Sequence, residues 1–111
     1  FDFLDANDIE RLEKETERVK KECDLKEKQE MPMSQIIKEE CRIINTFFDN
    51  VFGEGISNKI FGDKMNLGEH IKAFEDIMKE KIEQSKGLQS SFERYKPNRE
   101  QRRHSYNQKR K

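Results

Sequence analysis

The 111 residues allow a single domain. Charged residues reach 41% against 32% hydrophobic, a balance that leans toward helices with wide solvated faces and a core of modest size. The net charge is zero, yet Lys96–Lys111 carry seven Lys/Arg and one Glu, for +6, and the residues before them sum to −6, so the chain reads as an acidic body with a basic end.

The first predicted helix covers about 6–30, capped at Asp5 or Asn7, with Glu10 placed to complete a capping box from Asn7. Ile9, Leu12, Thr16, Val19 and Cys23 recur at spacings of three and four, which gives one thin apolar stripe among Glu, Lys and Arg. So thin a stripe suits a helix at the edge of a bundle or one that crosses to a second subunit. The preceding FDF alternates apolar and acidic residues, as the end of a strand would, and the start at Phe1 suggests that residues precede it. Met31-Pro32 ends the first helix and opens the next, over 32–52. Here Met33, Ile36, Ile37, Cys41, Ile44, Phe47, Phe48 and Val51 make the broadest apolar face of the chain.

Gly53 and Gly55 stop that helix, and a short helical turn over 56–61 ends at Gly62. Asn66 caps the last helix, over 67–85, with Glu69 as capping-box partner and Leu67, Ile71, Phe74, Ile77, Met78 and Ile82 as its apolar face. Gly87 is expected to end it. The expected architecture is therefore all-α: a small bundle of three main helices and one short helix over 1–88, followed by a basic, flexible tail over 89–111.

Little in the sequence points to catalysis, a cofactor or a metal, and the expectation is a protein that is not an enzyme. His70 and His104 are isolated, and His70, between Glu69 and Ile71, reads as a surface or half-buried residue. Glu39-Glu40 and Glu75-Asp76 are adjacent acids of the kind that point into solvent. Gly53-Glu54-Gly55 lacks the third glycine and the lysine of a phosphate loop. Cys23 and Cys41 lack metal-ligand spacing; they read as small buried hydrophobes, with a disulfide between facing helices as the alternative. No apolar run exceeds two residues, so no membrane helix is expected.

Two binding features remain. Arg99, Arg102 and Arg103, with Tyr95 and Tyr106 interleaved, make a basic cluster that could pair with phosphates, which keeps nucleic acid as an alternative partner. Five of the eight phenylalanines and four of the five glycines fall in Phe47–Phe74. Most of these aromatics should build the core. Any left exposed, with Phe52, Phe61 and Met65 the nearest candidates, could grip a helical partner.

FDFLDANDIERLEK, FFDNVFGEG, KIFGDKMNLGEHIKAFEDI and the terminal NREQRR together resemble a family of small proteins from the tail-gene region of tailed phages and prophages, similar to tail assembly chaperones. The resemblance spans nearly the whole chain. It implies an assembly factor in the cytoplasm of a bacterial host that shields the tape measure protein until tail tube protein replaces it. It also implies contact with the tube protein and room for homo-oligomers; a structural tail component is the neighbouring possibility within this class.

Overall fold

The structure is a computed structural model and describes residues 1–94. It is all-α: α1 covers Ala6–Glu27, α2 Met33–Phe52, α3 Ile56–Phe61 and α4 Leu67–Arg94, with no strand among the described residues. Contacts divide the chain into two units, Phe1–Met78 and a second from Lys79 onward. The expected residues Arg99, Arg102 and Arg103, with the tail beyond residue 94, lie outside the described residues.

Asp5 caps α1 by accepting a 3.0 Å bond from the Asp8 N–H. The box expected from Asn7 to Glu10 does not form; the reciprocal bond comes instead from the Asp2 N–H to Asp8 at 2.9 Å. That backbone bond, with Arg11 at 2.7 Å, holds the Asp8 carboxyl below its usual range. The expected strand at FDF is a turn closed by the Asp5 N–H on the Asp2 carbonyl at 3.1 Å. Among the described residues no strand lies beside it to pair with.

α1 ends at Glu27, three residues short of expectation, where the Lys28 N–H still reaches the Asp24 carbonyl. It lies antiparallel on α2. Asn50 bonds Glu15 at 3.2 Å near one end, and Lys26 approaches Glu39 at 3.9 Å near the other. Leu12 and Val19 are buried at this seam, flanked by half-buried Ile9, Thr16 and Cys23. The thin stripe thus seats α1 within its own chain.

α2 carries the core. Cys41, Ile43, Ile44, Phe47, Phe48 and Val51 are buried along it, while Met33, one turn beyond the reach of α1, is 78% exposed. Gly55 precedes α3 with φ +88°, a left-handed conformation that a β-carbon disfavours. A glycine offers no capping side chain, so Asp49 of α2 supplies one, accepting from the Ser57 N–H at 2.9 Å and the Ser57 hydroxyl at 3.2 Å. Asn66 caps α4 by accepting from the Glu69 N–H at 2.9 Å. α4 does not stop at Gly87 but continues to Arg94. One glycine costs a helix interior about 1 kcal/mol, less than a standing run of hydrogen bonds returns.

Candidate functional site

Phenylalanine organises the first unit. Phe47 touches Phe48 at 5.1 Å between centroids and Phe74 at 4.9 Å; Phe48 touches Phe61 at 5.7 Å and Phe52 at 5.8 Å; Phe52 meets Phe1 at 4.8 Å, and Phe1 meets Phe3 at 4.9 Å. The edge-to-face pairs among them add to what burial alone contributes. This continuous aromatic chain joins the N-terminal turn to α2, α3 and α4.

At its inner end lies His70, fully buried and not the surface or half-buried residue expected from Glu69 and Ile71. Its ring stacks on Phe61 at 3.7 Å and 11°. Nδ1 faces the Asn66 carbonyl at 2.7 Å and Nε2 the Asn45 side-chain amide at 3.0 Å. A carbonyl only accepts, so Nδ1 carries the hydrogen; the Asn45 amide has both donor and acceptor ends and can serve Nε2. Both ring nitrogens are therefore satisfied without a ligand, and the histidine ties α2, α3 and α4 together. The signal that could have found it is that Leu67, His70, Phe74 and Ile77 share one helical face; its partner Asn45, distant in sequence, left no such signal.

Outside this packed interior, α3 and α4 leave a shallow, open groove of about 320 Å³, at the small end of the range for ligand pockets. Ile60, Phe61, Glu69, Lys72, Ala73 and Asp76 line it. Ile60 is 48% exposed, and Lys72 pairs with Asp76 at 3.2 Å. The lining combines apolar Ile60, Phe61 and Ala73 with charged Glu69, Lys72 and Asp76, a mixture suited to an amphipathic segment presented by another protein.

The residues expected to grip a partner do not converge. Phe61 is only 6% exposed, so it belongs to the core and shows the groove a small part of its surface. It packs against Phe48 and stacks on His70, which takes it out of the exposed set. Phe52 is half-buried between Phe1 and Phe48. Met65 is exposed in the loop before α4. The sequence reading missed Ile60, whose short helix gives too little periodicity to assign a face.

A second cluster lies at the far end of the α1–α2 pair. Glu40, expected to point into solvent, is 4% exposed, and its Oε2 is buried with no hydrogen-bond donor. Cys41 is buried and Cys23 half-buried, both as free thiols. Burial, then the Glu40, Glu27 and Glu22 carboxylates, push the Cys23 thiol up to about 11, and burial with Glu40 also raises Cys41. Such thiols are poor nucleophiles at neutral pH. Among the described residues no group of three or more His, Cys, Asp or Glu is arranged to hold a metal ion, and no helix is long and apolar enough to cross a membrane.

The fold is that of a small all-α protein. Over residues 1–106 it matches the model of a family of unknown function (DUF6673), and it belongs to that family. No curated protein and no solved structure matches it.

Proposed function

We propose that the protein is a non-enzymatic assembly factor that covers an apolar helical segment of another protein, in the manner of a phage tail assembly chaperone on a tape measure protein. The observation that carries this reading is the α3–α4 groove, lined by half-exposed Ile60, by Phe61 and Ala73, and by charged Glu69, Lys72 and Asp76. A groove this shallow makes modest contacts. Reversible cover needs that property, since a tail tube protein must later displace the chaperone. The likeness of Phe1–Lys14, Phe47–Gly55 and Lys59–Ile77 to tail-region proteins supplies the client class.

The test is co-expression with a tape measure fragment that is insoluble alone. The intact protein should keep the fragment in solution and co-purify with it. Ile60→Asp, at a site exposed enough to leave the fold intact, should cut recovery about tenfold, the equivalent of ~1.4 kcal/mol of binding. A fragment that stays insoluble beside the intact protein overturns the client; full recovery with Ile60→Asp overturns the groove. The segregated charge favours a second reading, nucleic-acid binding through the +6 segment from Lys96 onward. Oligonucleotide binding across a salt series, with and without residues 96–111, separates the two.

A further inference from the structure

We propose that Glu40 and Glu27 form a proton-sharing carboxyl pair that latches the C-terminal end of α1 onto α2 at acidic pH and loosens it as the pH rises to neutrality. The inference is independent of the client reading above.

Ile36, Glu40 and Ile44 follow one another at four-residue steps, so Glu40 occupies a core position of α2. Its carboxyl is 4% exposed, and Oε2 meets no donor. A buried carboxylate oxygen in this state normally costs enough to be selected against or neutralised. The group it meets on α1 is another carboxyl, Glu27, within hydrogen-bonding reach. Two carboxylates are both acceptors and cannot bond each other. Once one is protonated, its O–H donates to the other, and the unfavourable contact becomes a charge-assisted hydrogen bond.

The surrounding charges do not supply an alternative. On α1, Lys26 is directed to Glu39 at 3.9 Å, and Arg18 bonds Glu15 and Glu22 at 2.8 and 3.0 Å. On α2, Arg42 also holds Glu39, at 2.8 Å. The remaining titratable neighbours, Cys23 and Cys41, are thiols whose own ionisation Glu40 opposes. Lys26 and Arg42 are thus directed to Glu39; Arg18 keeps one buried nitrogen, Nη2, without a hydrogen-bond partner, but no cation is among the groups that act on Glu40, and a proton is the species left to neutralise it.

Burial first, and then the Glu27 contact, raise the Glu40 carboxyl from 4.5 to about 7. From pH 4.5 to about 7 the opened chain ionises this group while the closed one keeps its proton. Closure therefore weakens as pH rises through that window and levels off above it. The end of α1 is the part that responds, because Glu27 is its last residue and the helix stops there.

Carboxyl-selective NMR titration of the intact protein tests the pair directly. Glu40 should titrate near neutrality, and a midpoint in the ordinary carboxylate range overturns the proposal. Amide exchange at residues 23–27, corrected for intrinsic rates, should show an opening constant that rises about tenfold between pH 6 and pH 8. Glu40→Gln keeps the shape and supplies a permanent donor, so its opening constant should stay flat across that range. A wild-type opening constant that stays flat over the same range overturns the latch, and so does a variant profile that matches a rising wild-type one. If Glu40→Gln fails to fold, Glu27→Gln serves in its place, and its Glu40 midpoint should fall toward, without reaching, the ordinary value.

Discussion

The two ends of the α1–α2 pair are built on opposite principles. At the end where α2 meets α3 and α4, Phe47, Phe48, Phe61 and Phe74 interlock, and the one buried polar ring, His70, has both nitrogens bonded. At the other end Glu40 is buried with an oxygen lacking a donor, beside another carboxyl and two thiols. Leu25 and Met33, on the same stretches of α1 and α2, stand 59% and 78% exposed. The first end is held by shape. The second is held by ionisation states and should respond to pH. A small core can thus stay fixed while one edge of the same helix pair remains adjustable.

Phe47→Ala is the largest perturbation of the aromatic end. Phe47 is fully buried between Phe48 and Phe74, and its truncation should cost about 3–5 kcal/mol in urea unfolding, equally at pH 5 and pH 8. A cost that varied strongly between those two pH values would break the contrast. Glu40→Gln probes the other end. It should stabilise by about 1–2 kcal/mol at pH 8 and have little effect at pH 4, where the wild-type carboxyl is protonated whether folded or unfolded. Denaturation midpoints at the two pH values measure this difference.

Asp49→Ala is smaller than both. It removes both bonds to Ser57 at the start of α3 and should cost about 1 kcal/mol, again by urea unfolding. The smallest effect belongs to Gly87→Ala. A β-carbon there meets nothing within 4 Å, so the change should add about 0.5–1 kcal/mol of local helix stability. Slower amide exchange around residue 87 is the readout, with global unfolding unmoved.

The aromatic end was largely legible in the sequence. Gly53, Gly55 and Gly62 mark the corner, Asn66 and Glu69 mark the next helix start, and the Phe47–Phe48–Val51 spacing marks the buried face. Each is a local signal, and each holds in the structure. The acidic end was not legible. Glu40 and Glu39 are neighbours of one residue type, and only the placement of α1 decides that Glu40 is covered while Glu39 meets Lys26 and Arg42. Met33 and Ile71 failed for the reverse reason. Their spacing fits an apolar face, but the neighbouring helices do not reach them. As to the groove, Phe61 was visible as an aromatic at a glycine corner, whereas its burial and the exposure of Ile60 depend on how α3 lies against α4.

The aromatic chain also determines how this molecule absorbs light. Every aromatic ring it links, apart from the imidazole, is a phenylalanine; the sequence has no tryptophan, and its two tyrosines are Tyr95 and Tyr106. Tyrosine emission therefore reports only on the basic segment and its ligands, while the folded body is nearly dark at the same wavelengths. One chain so carries a built-in chromophore for events at its basic end, and a tryptophan placed at Phe52 would add a separate colour for the core.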